Sequence, residues 1–240
     1  STSLPLVAGE KQSSSPVMKD MISPMENTVY FLPNSDARQS QIYFYIPMGD
    51  YNREENVRRE AFNQYISGGF SGLIMNEIRE KNSMAYTAYG FASSRGLPGA
   101  QTYFSGYIDT QNDKAVDAID LYMKLLTDMP ERPGRIDNIK SYLRQSALTD
   151  HPDSRNLSLR IAEWKRRGYT DDPAKEELPL IDSLTFPDIV DYYQKNIKGK
   201  PIIIGVLGNP KDISIDALKK FGKVIRLNEK KLFNEKDTMF

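Results

Sequence analysis

The chain contains no cysteine. Disulfides, thiolate zinc sites and cysteine nucleophiles are therefore excluded, while the compartment stays open between cytosol and periplasm. Histidine is almost missing too: one residue in 240, His151, within Asp150-His151-Pro152-Asp153. A catalytic zinc takes three protein ligands, mostly His, and neither H-E-x-x-H nor H-x-x-E-H occurs. His151 reads as an ordinary loop residue. No sign of charge prevails, since Lys+Arg and Asp+Glu each number 32. That removes the basic balance expected of a nucleic-acid binder. The apolar run Ile202-Ile203-Ile204, continued by Val206-Leu207, is far too short to span a bilayer. P-loop, G-x-G-x-x-G and D-x-D-x-D-G patterns are all missing.

What remains is a soluble globular composition, 39% hydrophobic and 27% charged, long enough to bury a large core without staples. Ser1 to Val7 carry no basic segment and no starting Met, so no signal peptide is read there, which leaves open one already removed. A chain that opens on Ser fits a piece of a longer precursor. Residues 1–26 read as an extended arm or interdomain linker, rich in Ser, Pro and Met without periodicity, and 27–240 as one domain. Strands are expected at 28–32, 41–47, 85–92, 101–108, 200–207 and 223–227. The first two are expected to be antiparallel neighbours. Helices are expected at 53–66, 73–81, 113–129, 136–148, 154–167, from 185 through Tyr193, and 214–221, with Ser71 capping the second and Gly222 closing the last. Residues 173–179 read as a charged loop. Strands in adjacent pairs and helices clustered mid-chain imply an α+β fold, a mainly antiparallel sheet with helices on one face.

One segment carries chemistry: Gly68-Gly69-Phe70-Ser71-Gly72-Leu73 through Ile78-Arg79-Glu80-Lys81 to Met84-Ala85-Tyr86. Arg79 falls near a helix C-terminus, where a cation complements the dipole. A tight Asn82-Ser83 turn brings the next strand, and Tyr86, back beside it. A guanidinium fork and a phenol aimed at one carbonyl oxygen favour the negative charge that builds there in amide hydrolysis. The plainer alternative pairs Arg79 with Glu80 or Glu77 and leaves Tyr86 an ordinary strand aromatic. Tyr89 is a lesser candidate, because strand alternation turns it to the face opposite Tyr86. Gly68-Gly69 reads first as a break between two helices, with phosphate cradling a poor second. Gly69-Phe70-Ser71-Gly72 lacks the final Gly of a nucleophile elbow, which leaves a Ser71–His151 hydrolase a remote alternative.

This segment resembles the hallmark of the insulinase/pitrilysin metallopeptidases and their mitochondrial-processing-peptidase relatives. The likeness in pattern and element order extends over about residues 27–228. In that family two halves close like a clamshell, one carrying H-x-x-E-H and zinc, the other metal-free with an Arg and a Tyr spaced as here. Asn82-Ser83-Met84 departs from the basic residue, Gly and Leu of many relatives without touching the pair. The resemblance implies a zinc-free C-terminal half that binds peptide substrate through Arg79 and Tyr86, and it makes the short Gly68-Gly69 segment a hinge first and a substrate loop second. It has no cofactor of its own, no nucleic-acid or membrane partner, and is inactive without a zinc-bearing HxxEH half. The rival implication is a non-proteolytic structural or assembly module of the same fold, like the core subunits of the respiratory bc1 complex.

Overall fold

A computed structural model of the chain describes residues 22–150 and 153–229. Six strands form one sheet: β1 Thr28–Pro33, β2 Gln39–Asp50, β3 Thr87–Ser93, β4 Gln101–Gln111, β5 Ile203–Gly208 and β6 Lys223–Arg226, in the order β3-β4-β2-β5-β1-β6. The β3-β4-β2-β5 part is antiparallel, whereas β5-β1 and β1-β6 are parallel. The α+β fold with helices on one face is present, and its sheet is mixed.

Strand alternation dictates what the sheet buries. Ile42, Phe44, Ile46 and Met48 of β2 and Phe104 and Ile108 of β4 point to one face and are buried there, because successive side chains leave a strand on opposite sides. Helices α1 Asn56–Ser67, α2 Ala115–Thr127, α3 Ile136–Thr149, α5 Pro173–Ser183, α6 Phe186–Asn196 and the short α7 Ile215–Leu218 contribute to the single core on that side. Phe62 of α1 meets Phe104 and Tyr192 at ring separations of 6.4 and 5.4 Å. Helix α4 Leu157–Arg166 buries none of its residues.

Three expectations are corrected. β1 and β2 are not neighbours, because β5 inserts between them and β1 also holds β6. Asn27 organises this junction: its side-chain oxygen accepts the Ile202 N–H at 3.0 Å and its carbonyl accepts the Lys223 N–H at 2.9 Å. Gly222 sits so close that a Cβ there would lie 2.1 Å from the Asn27 carbonyl oxygen. The loop expected at 173–179 lies within α5. Asp172 caps that helix by accepting the Ala174 N–H at 2.9 Å, and Pro173 occupies its first turn, where a missing N–H costs nothing. Ser71 does not cap the following helix; its hydroxyl donates to the Gly68 carbonyl at 3.1 Å. Most of the arm expected at 1–26 lies outside the described residues, as does His151.

Candidate functional site

The turn from α1 into the next helix is set by glycine. Gly69 has φ of +58°, the left-handed region that glycine enters without steric cost. A Cβ on Gly68 would lie 2.2 Å from the Gln64 carbonyl oxygen. Helical structure resumes at Leu73 and runs as a π-helix over Met75–Lys81. Leu73, Ile74 and Ile78 anchor this site helix in the core. Its exit is compact: Ser83 has φ of +51° and donates its N–H to the Arg79 carbonyl at 2.9 Å, while Met84 N–H reaches the Ile78 carbonyl at 2.9 Å. A long π stretch was not legible in the apolar spacing; such segments occur frequently at functional sites.

Arg79 stands in the last turn, about half exposed, with its Nε 3.6 Å from Glu80 Oε1. Tyr86 lies one residue ahead of β3, with its N–H bound to the Asp109 carbonyl of β4 at 2.9 Å. Both side chains line one open cavity of about 410 Å³. Gln111 Nε2 donates to the Tyr86 hydroxyl oxygen at 3.3 Å, which leaves the phenolic proton available to an acceptor in the cavity. Lys114 also lines it and spends one donor on the Ser83 carbonyl at 3.2 Å. The charged lining is thus Arg79, Lys114 and Glu80, net positive, and suits an oxygen bearing negative charge. Gln111 and Lys114 escaped the sequence reading because they reach the site through the β3–β4 pairing, far from Arg79 along the chain.

Glu77 holds the site helix in place. Its carboxylate accepts Lys81 Nζ at 2.9 Å and also binds the Arg132 guanidinium from beyond α2. Burial pushes the Glu77 carboxyl up, but Lys81 and Arg132 outweigh it and hold the pKa below its ordinary value. A depressed carboxyl stabilises the fold above its unfolded pKa, and that contribution is lost as pH falls through the folded one. Glu77→Gln should therefore cost about 1–2 kcal/mol at neutral pH. Denaturant titrations at descending pH should show the gap to the parent chain closing in acid.

The opposite face of the sheet is uncovered by helices. Tyr43 of β2, Tyr107 of β4 and Tyr89 of β3 form a ladder across three strands, with ring separations of 5.0 and 5.3 Å. Tyr89 is thus turned away from Tyr86, as alternation requires. Asp109 shares this face, and burial raises its carboxyl pKa. A raised folded pKa means that the proton stabilises the fold, fully below the unfolded pKa and no longer once pH has risen through the folded one. Asn mimics the protonated form at every pH. Asp109→Asn should accordingly raise the melting temperature at pH 7, with a gain that disappears in acid when thermal scans are repeated there.

Among the described residues no three His, Asp or Glu side chains gather as a metal site, and no helix is long and apolar enough to cross a membrane.

Comparisons with known proteins can be set against this geometry. A family model described as "Peptidase M16 inactive domain" matches residues 11–133. No curated protein sequence matches the chain. Among solved structures, it is similar to a peptidase M16 inactive domain from Pseudomonas fluorescens, with a TM-score of 0.65, 15% identity, and 81% of this chain matched to 47% of that one. It is similar to the periplasmic protease PqqL from Escherichia coli, with a TM-score of 0.61, 16% identity, and 83% of this chain matched to 22% of that one. A chain of Complex III2 from Candida albicans matches with a TM-score of 0.59 at 13% identity, 78% of this chain against 47% of that one. The chain therefore spans less than half the length of each.

Proposed function

From the premise that the chain belongs to the peptidase M16 inactive-domain family, we propose that it is the zinc-free, substrate-holding half of a metalloendopeptidase of the insulinase/pitrilysin type. It works against a zinc-bearing half carrying HxxEH, on the same precursor or a separate subunit. Arg79 and Tyr86 donate hydrogen bonds to the carbonyl of an extended, unfolded peptide, and to its oxygen as negative charge develops. Zinc, general base and attacking water belong to the other half. Gly68 and Gly69 set the angle at which the site helix leaves α1.

The observation that carries this reading is the shared cavity. Arg79 and Tyr86 line one cavity, and Gln111 donates to the Tyr86 hydroxyl oxygen, an arrangement that supports a phenolic proton free to donate. The test is cleavage of an unstructured peptide by this chain mixed with its zinc-bearing half, against the same mixture with Arg79→Ala and Tyr86→Phe. The isolated chain should cleave nothing, the mixture should cleave, and both variants should be impaired; unimpaired variants overturn the role.

A second reading is favoured by the likeness to Complex III2: an assembly module without proteolysis. It expects no HxxEH sequence upstream on the precursor or in an adjacent gene, and a mixture with no peptidase activity.

A further inference from the structure

The site helix changes register where a side chain from outside grips it. Leu73 and Ile74 are α-helical, and the Asn76 N–H still donates to the Gly72 carbonyl, four residues back, at 3.0 Å. From Met75 to Lys81 the helix is π. Asn76 and Glu77 stand at the start of that stretch, and Arg132 binds both. Its Nη1 donates to Asn76 Oδ1 at 3.3 Å and its Nη2 to Glu77 Oε1. One guanidinium fork thus spans two successive residues, which a point charge such as an ammonium does less well.

Arg132 is itself held, just past α2. Met129 is buried and its N–H donates to the Tyr193 hydroxyl of α6 at 3.3 Å, while the Pro130 carbonyl accepts the Tyr65 hydroxyl of α1. The Arg132 carbonyl accepts the Arg135 N–H at 3.0 Å, and the Arg135 guanidinium lies 5.7 Å from the centre of the Tyr65 ring. The grip therefore ties the site helix to α1 and α6.

Register decides where Arg79 points. A π-helix has about 4.4 residues per turn against about 3.6 in an α-helix. Over the five residues from Ile74 to Arg79 the two geometries differ by about 90° of rotation. Ile74 and Ile78 are both buried, and residues four apart stay on one side of the helix in either geometry. Core packing at these two positions thus does not choose between registers. The π form is the rare one, so its persistence over 7 residues requires a contact that selects it.

We propose that Arg132 is a positioning residue for the carbonyl-binding pair: its grip on Asn76 and Glu77 selects the π register and so turns Arg79 into the cavity it shares with Tyr86. The consequence for cleavage rests on the reading that the pair binds a peptide carbonyl; the register does not.

The first arm of the test reads the register without a partner. The chain has no cysteine, so Glu80→Cys and Thr87→Cys, both at exposed positions, place one spin label on the site helix and one on β3. Their distance distribution, measured by double electron–electron resonance, should be narrow with Arg132 in place. It should shift by about 5 Å or broaden in Arg132→Met, with Arg132→Lys in between. An unchanged distribution in Arg132→Met overturns the proposal. The second arm reads cleavage of an unstructured peptide in the mixture with the zinc-bearing half. Arg132→Met should lower kcat/KM about 10- to 100-fold, and Arg132→Lys less. In an Arg79→Ala background Arg132→Met should cost nothing further, because positioning acts only through the group positioned. An equal loss in both backgrounds marks a merely structural role and overturns the proposal. If Arg79→Ala alone leaves cleavage intact while the label distance moves with Arg132, the carbonyl reading fails and the register assignment stands.

Discussion

Arg79→Ala should lower kcat/KM of the assembled peptidase by about 10²–10³-fold, the usual cost of deleting one oriented donor to an oxyanion. Arg79 lines the cavity from a helix whose buried side holds Leu73, Ile74 and Ile78. The helix is therefore fixed in place, and on the proposed reading truncation loses stabilisation that water would have to reorganise to replace. Tyr86→Phe keeps the ring and removes one neutral donor, so a smaller fall, about tenfold to a hundredfold, is expected. If the donors act mainly in the transition state, kcat falls and KM holds; if they bind the ground-state carbonyl equally, KM rises instead. On the proposed reading both donors address one oxygen, so the double variant should lose less than the product of the single effects. Lys114→Ala serves as a graded comparison: it removes charge from the same cavity, together with one contact to the Ser83 carbonyl, and keeps both donors. Steady-state kinetics on one peptide with all four variants decides the matter.

Gly106→Ala is expected to be the most damaging small substitution in the sheet, at about 3–4 kcal/mol. Gly106 pairs with Gly90 across β4 and β3, and the two leave a gap in the helix-facing side of the sheet. Tyr122 of α2 fills it. Its ring stacks on Phe44 at 4.0 Å with planes 8° apart, and its hydroxyl donates to the Tyr89 carbonyl at 2.9 Å. A Cβ on Gly106 would lie 2.1 Å from the Tyr122 oxygen and 2.8 Å from the ring carbon bearing it. The ring cannot retreat without giving up both contacts. The melting temperature should drop by about 10 °C on the scale of a chain this size. Gly134→Ala, where a Cβ meets nothing within 4 Å, should be near neutral. Calorimetry on the two variants separates this clash from a general intolerance of glycine replacement.

The alternation of Ile42-Tyr43-Phe44-Tyr45-Ile46 and the helical spacing in 115–126 made most elements legible, because each signal is local and each face is buried or open throughout. Sheet order was not legible: nothing in β1 or β2 says that β5, some 160 residues later, comes between them. Helix α5 hid behind Pro173, Pro179 and its charges, since the cap from Asp172 and the packing of Ile181 against the core outweigh the interruption at Pro179. The Ser71 cap failed because the chain turns at Gly72 before helical bonding resumes. In the site, Arg79 and Tyr86 come to line one cavity through the turn at Asn82-Ser83, a local signal that the sequence carries. The partners of Tyr86 and the ladder beside Asp109 depend on strand pairing, which only the folded sheet supplies.

The placement of β1 between β5 and β6 also constrains the order of assembly. The two hydrogen-bonded neighbours of the first strand come from the last quarter of the chain; Thr28 meets Ile203 on one side and Lys223 on the other. While the chain is being translated, β2, β3 and β4 can join, but the β2 edge that β5 will cover stays bare until β5 itself has left the ribosome. Folding that closes such distant contacts is slow, and an open strand edge invites pairing with other chains. Late closure thus prolongs the time during which the β2 edge is open to mispairing.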